Sequence, residues 1–186
     1  MKKEIRVIGI DDSPFNKFKD KQCFVVGIFY RGGNYMDGVV STKVKVDGKD
    51  STIKIVEMVN KCKFKPQLQC ILLDGIAVAG FNVIDIQRLS KRTKLPVIVI
   101  MRDYPDLKKI KSALVKLNMK DKIKLLKKAG KVHKIGKIHV QFYGLELSDV
   151  KKILKITCTH SFIPEPIRVA HLIAAGVVTG ESKGRA

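Results

Sequence analysis

A chain of 186 residues is only about a fifth longer than a typical ~150-residue domain, so one domain over residues 1–186 is expected rather than a solenoid or two-domain enzyme. With 45% hydrophobic and 29% charged residues, the composition excludes intrinsic disorder and a collagen-like fibre. The 37 Lys and Arg against 17 Asp and Glu leave a net charge of +20, which favours polyanionic partners, nucleic acid first and an anionic membrane surface second.

Residues 5–10 form a short apolar run stopped by Asp11-Asp12-Ser13-Pro14, and residues 23–30 form another. Residues 38–46 alternate Val40, Thr42, Val44 and Val46 against Ser41, Lys43 and Lys45. With Gly32, Gly33 and Gly38 in the connections, these segments predict an antiparallel meander of three strands. Ser51 or Thr52 can cap a helix whose apolar positions Ile53, Val56 and Val59 follow helical spacing. A strand returns at 70–73 and closes on Asp74-Gly75, residues 83–93 read as helix, and 97–101 is a fully apolar strand after Pro96. A helix between two such strands implies buried parallel pairing.

Residues 106–130 read as one or two Lys-rich helices, 135–143 as a strand or hairpin, and 146–156 as a helix. A last helix, 167–178, follows Pro164-Glu165-Pro166. The order predicts an α/β fold: a mixed sheet of three antiparallel strands and then parallel strands, flanked by helices.

The longest uncharged apolar stretches, such as 169–180, fall short of the ~20 residues of a membrane span. Lys2 and Lys3 could open a signal peptide, but the run from Ile5 is interrupted by Arg6 and ends at Asp11, too short for the apolar region of one. A soluble, cytoplasmic protein without membrane contact is the expectation. Cys23, Cys62, Cys70 and Cys158 show neither a CxxC pair nor a His at zinc-finger spacing, so they read as reduced, mostly buried thiols.

Chemistry resides in where the aspartates fall. Asp11 ends the first expected strand and Asp74 the fourth, so adjacent strands would bring two carboxylates to one rim. Hard oxygen ligands at one point suit Mg²⁺ or Mn²⁺, and such an ion activates water and neutralises charge on a phosphodiester. The plainer reading is a cap or turn role for each Asp. Asp47 and Asp50, after the third strand, could supply a third carboxylate or form an Asp-Gly turn and a helix cap. His171, among Val169, Ala170, Leu172 and Ile173, reads by itself as a core or helix-end residue.

From Asp106 to His139 there are 12 Lys and two Asp, a local excess of +10. A phosphate-tracking surface has this composition, and so does a solvated face, since Lys outnumbers Arg 30 to 7 over the chain.

Three strings resemble, in order, motifs of the endonuclease V superfamily: Ile8-Gly9-Ile10-Asp11; Leu72-Leu73-Asp74-Gly75 with Leu95-Pro96-Val97-Ile98; and Ile163-Pro164-Glu165-Pro166-Ile167-Arg168-Val169-Ala170-His171. The opening from Gly9 to Phe15 and the ending from Gly180 to Ala186 resemble its archaeal branch, the endonuclease dU family. That resemblance implies a ribonuclease H-like fold and a metal-dependent cut, with Mg²⁺ or Mn²⁺, in DNA near a deaminated base, deoxyuridine foremost. It makes Asp11 and Asp74 metal-binding carboxylates, with Asp47 the nearest match to a third and Asp50 the alternative. It makes His171 the active-site histidine. Tyr35 falls where a wedge tyrosine is expected, although both prolines of that motif are missing, and Arg102 replaces a lysine. Gly75 and Gly80 would let a flipped base approach the backbone. An inosine- or RNA-directed nuclease, or a non-catalytic nucleic-acid-binding protein, are the rival readings.

Overall fold

The computed structural model describes residues 4–182, so Lys2, Lys3 and the last four residues of the Gly180–Ala186 ending lie outside the described residues. The chain runs β1 (Arg6–Asp12), β2 (Gln22–Arg31), β3 (Tyr35–Lys45), α1 (Ser51–Lys61), β4 (Cys70–Asp74), β5 (Ala77–Val78), β6 (Asn82–Val83) and α2 (Ile86–Thr93). It continues through β7 (Val97–Met101), α3 (Leu107–Lys116), α4 (Asp121–Lys128), β8 (His133–Ile135), β9 (Ile138–Tyr143), α5 (Leu147–Thr157) and α6 (Glu165–Thr179).

Seven strands make one sheet in the order β3-β2-β1-β4-β7-β9-β8. The meander β1-β2-β3 is antiparallel, and β1-β4 and β4-β7 are parallel, as the sequence pattern implied. The segment after the Lys-rich helices is a hairpin, β8 with β9, added antiparallel to β7. Both faces of the central strands are buried, which is why β4 and β7 read as unbroken apolar runs. On one face Ile8, Ile10, Ile71, Leu73, Val97 and Val99 pack with Ile55 and Val59 of α1 and Leu89 of α2. On the other, Val7, Ile28, Leu72 and Ile98 pack with Val150 and Ile153 of α5 and Ile167, Ala170 and Ala174 of α6. Each fully buried Val, Leu or Ile among these contributes roughly 1.5–3 kcal/mol by leaving water. Among the described residues no helix is long and apolar enough to cross a membrane.

Several boundaries differ from the expectation. The 83–93 helix starts only at Ile86, because Asp85 caps it by accepting from the Arg88 N–H, and Asn82–Val83 pairs instead with Ala77–Val78. Neither Ser51 nor Thr52 caps α1. Both are buried, the Ser51 N–H goes to Asn82 Oδ1, and Thr52 Oγ1 accepts from the Asp85 N–H. The apolar face of α1 is Ile55, Val56, Met58 and Val59, and Ile53 is exposed.

Candidate active site

Asp11 and Asp74 stand side by side because β1 and β4 are parallel neighbours in a register that pairs Ile10 with Leu73. Alternation along a strand sends Asp11 to the face of Val7 and Asp74 to the face of Leu72, the face covered by α5 and α6. Helix α6 brings the third member, His171. A Cβ at Gly9 would stand 2.3 Å from the carbonyl carbon of Pro166, so the first turn of α6 fills the space where a side chain would be. That contact lays the helix against β1. His171, about 1.4 turns beyond Pro166, then lies over Asp11.

His171 Nδ1 is 2.9 Å from Asp11 Oδ2, and Asp11 Oδ1 accepts from the Asp12 N–H at 2.8 Å. Asp11 is 5% exposed. One donor atom from each of Asp11, Asp74 and His171 lies within 4.8 Å of the others. Arg102, just past β7, points Nη1 at both oxygens of Asp74, 3.3 Å from each.

Burial pushes Asp74 above the usual carboxylate range, and the negative charge of Asp11 pushes it further, against the pull of Arg102. The hydrogen bond to Asp11 raises His171, with the charges of Asp11 and Asp74 adding and burial opposing. The cluster thus attracts positive charge, here that of Arg102 and the imidazole. Two carboxylates and an imidazole nitrogen at such spacing fit a small divalent cation, Mg²⁺ or Mn²⁺.

The other expected site residues are placed as follows. Asp47 is not part of this cluster. Its Oδ1 accepts from the Phe81 N–H at 2.7 Å, its Oδ2 pairs with Lys17 at 3.4 Å, and its carbonyl accepts from Lys122 Nζ. Asp50 is likewise engaged, by Asn82 Nδ2 and the Lys45 N–H. Tyr35 lies at the opposite edge of the sheet: it pairs with Arg31, which faces Arg6, whereas Asp11 faces Val26. Those five positions along β2 are roughly 17 Å, so Tyr35 is removed from Asp11.

Gly75 directly follows Asp74, with φ of +80°, and its N–H donates to the Ile100 carbonyl. Gly80 gives its close approach to Asp47, since a Cβ there would meet Asp47 Oδ1 at 2.5 Å.

One acidic residue was passed over. Asp12, on the face opposite Asp11, accepts from the Ala79 N–H at 2.6 Å and lies 3.6 Å from Cys23 Sγ. Burial pushes it up to about 6. Its signal was present in the sequence: of two consecutive aspartates ending a buried strand, one must face each side. Asp12 and Asp47 together tether the segment 79–81 that follows the site.

The Lys-rich stretch folds as α3 and α4, packed on β6 through Val83, Leu114 and Leu126. Lys120, Lys124 and Lys127 are exposed, but Lys122 is 2% exposed and its ammonium donates to the Asp47 carbonyl at 2.7 Å. Lys122 is therefore a structural residue and no phosphate contact.

The sequence matches the endonuclease dU family over residues 3–178. It is 45% identical over 191 residues to a UPF0215 protein of Methanothermobacter thermautotrophicus, covering 100% of this chain and 94% of the relative. Among solved structures, a protein of unknown function from Archaeoglobus fulgidus superposes with a TM-score of 0.89 at 41% identity, covering 95% of this chain and 100% of that one. Endonuclease V of Ciona intestinalis, solved with a 24mer DNA containing an inosine followed by a ribo-adenosine, superposes with a TM-score of 0.56 at 20% identity, covering 90% and 82%. This last likeness carries the fold, and the fold is the ribonuclease H-like architecture expected from the sequence.

Proposed function

The chain belongs to the endonuclease dU family, and from that premise we propose that it is a metal-dependent endonuclease that cuts DNA at or near a deaminated base, deoxyuridine foremost, in the cytoplasm. The observation that carries the reading is the meeting of Asp11, Asp74 and His171 at one sheet edge from strands 1 and 4 and the last helix. A binding protein has no use for two carboxylates held together against their mutual repulsion on a chain of net charge +20. Four free cysteines suit the reducing compartment.

In this reading Asp11 and Asp74 hold the cation. Mg²⁺ or Mn²⁺, when bound, supplies Lewis acidity and offsets charge on the phosphodiester. With Nδ1 committed to Asp11, His171 has Nε2 to exchange a proton with the attacking water or the leaving oxygen. Arg102, which pairs with Asp74, would be free to pair with a phosphate once a cation neutralises that carboxylate.

The test is incubation with labelled DNA and RNA oligonucleotides carrying uracil, hypoxanthine or an ordinary base, with Mg²⁺, with Mn²⁺ or with chelator. Cleavage of uracil-bearing DNA that needs a metal is expected, and Asp74→Asn should abolish it while binding in chelator persists. Wild-type rates from Asp74→Asn would overturn the site. A wild type that binds all of these substrates and cuts none would leave only the binding reading.

A further inference from the structure

Between the β8–β9 hairpin, α5 and the α5–α6 connection runs a groove of about 360 Å³. Its floor is aliphatic: Ile138 and Leu154 are buried, and Ile135 packs beside them. Phe162 forms a wall and keeps 56% of its surface exposed. Spaced as i, i+3 and i+4, Lys151, Leu154 and Lys155 share one face of α5, so two ammonium groups flank the apolar floor. Lys137, at the hairpin tip, adds a third and lies 4.3 Å over the Phe162 ring.

No Asp or Glu among the described residues lines this groove. The acid nearest to Lys151 in sequence, Asp149, is about 160° round the helix from it and is already paired with Lys152 at 3.2 Å. The polar side-chain atoms other than the ammonium groups are engaged within the chain. Cys158 Sγ donates to the Phe162 carbonyl at 3.4 Å, and Ser161 Oγ donates to the Ile163 carbonyl at 3.0 Å. An apolar concavity with a polar rim marks an interaction site. Strand β8 ends the sheet and, among the described residues, pairs only with β9, so its outer backbone is open to an added strand. A strand laid beside it would drop every second side chain on the side of Ile135, which is the side of the groove.

We infer that the groove docks an acidic segment of a partner protein, whose alternate apolar side chains enter it while its carboxylates meet Lys137, Lys151 and Lys155. A second copy of this chain, at a net charge of +20, has the wrong sign for such a surface. A nucleic-acid strand is the poorer fit, because a base would bring its hydrogen-bonding edge against aliphatic carbon, whereas an apolar side chain leaves no polar group unpaired. Strand β9 runs antiparallel to β7, so Ile138 begins it at the sheet edge where Asp74 ends β4. The register sets Val140 in line with Asp74 through Ile100, which leaves the Ile138 Cα roughly 12 Å from that of Asp74. A docked segment thus stands beside the catalytic cluster rather than in it.

The probe is a fluorescein-labelled peptide, Asp-Leu-Asp-Phe-Asp-Leu-Asp, titrated in chelator and followed by anisotropy, beside the same peptide with serine at the apolar positions. The serine peptide should bind at least about tenfold more weakly. Phe162→Ala should weaken binding of the apolar peptide about tenfold, and so should Lys151→Glu combined with Lys155→Glu. No binding of the apolar peptide, equal binding of the two peptides, or an unchanged affinity in Phe162→Ala would overturn the inference. Oligothymidylate that loses as much affinity as the peptide in Phe162→Ala would also overturn it, by making the groove a nucleic-acid track. Peptide binding needs neither metal nor cleavage, so a wild type that cuts no DNA sinks the nuclease reading while these titrations still decide for or against the groove.

Discussion

His171 and Asp11, 160 positions apart in sequence, meet with Nδ1 and Oδ2 separated by 2.9 Å. The bond joins the last helix to the first strand and fixes which imidazole nitrogen faces outward. It also ties the stability of the fold to the protonation of one side chain.

The consequence of that pair is a pH-dependent stability of definite sign. The folded chain holds His171 above its ordinary value of 6.5, mainly through the bond to Asp11. A raised histidine contributes stability that is complete below the unfolded value and is lost as pH rises through the folded one. In chelator, the melting-temperature gap between wild type and His171→Ala should be widest near pH 5.5 and narrow toward pH 9. A gap that widens with pH would mean the imidazole is bound neutral.

Asp12 should behave in the opposite sense to an ordinary ion-paired aspartate. Burial lifts it from 3.8 to about 6, so its favourable contribution is complete below 3.8 and is lost as pH rises through about 6. Above that pH the fold carries a buried charge at a cost of up to about 3 kcal/mol, at ~1.4 kcal/mol per unit. Asp12→Asn keeps an oxygen for the Ala79 N–H and should raise the melting temperature at pH 7.5 in chelator, with the gain shrinking toward pH 4. Denaturation followed over pH 4–8 decides this, and a destabilised variant at pH 7.5 would refute it.

Among the lysines of α4, neighbours in sequence should differ in effect. Replacing Lys120, Lys124 and Lys127 together with Gln should weaken DNA binding and lower the salt slope by up to about three units, one per lost phosphate contact. Lys122→Met should instead destabilise the fold, because the Asp47 carbonyl loses its buried donor, at about 1–3 kcal/mol. Binding isotherms at four salt concentrations, beside melts of each variant, separate the two. An unchanged slope in the triple variant would mean those lysines face only solvent.

Gly9→Ala should damage both stability and cleavage although Gly9 touches no reacting group. The added methyl would collide with the Pro166 carbonyl and the Ile167 nitrogen, 2.3–2.6 Å away, and backbone cannot swing aside as a side-chain tip can. Overpacking of this kind costs about 1–3 kcal/mol and shifts α6, and His171 with it. Wild-type melting and cleavage from Gly9→Ala would show that α6 is not seated by this contact.

The sheet was legible because its strands are short apolar runs ended by Asp and Gly, and the alternation of Val40, Thr42 and Val44 marks β3 as an edge. Asp11 and Asp74 could be singled out for the same reason. What remained hidden depends on register and long-range contact. Val83 and Ile84 are apolar and suit the start of a helix, yet Asp85 caps the helix later and the neighbouring Asn82 is engaged by Ser51 and Asp50. The β2–β3 pairing, invisible in composition, carries Tyr35 to the far edge. No pattern in a lysine-rich helix marks Lys122 as the one whose ammonium finds a carbonyl 75 positions earlier.

The order of the elements also times the chemistry. Every strand of the sheet precedes α6 in the chain, so Asp11 and Asp74 are synthesised before the helix that carries His171. A nascent chain on the ribosome, emerging from its N-terminal end at about 5–20 residues per second, would thus hold its two carboxylates without their histidine partner. Until α6 docks on Gly9, the face of the sheet that Ile167, Ala170 and Ala174 cover stays open to water and Asp11 lacks its imidazole partner.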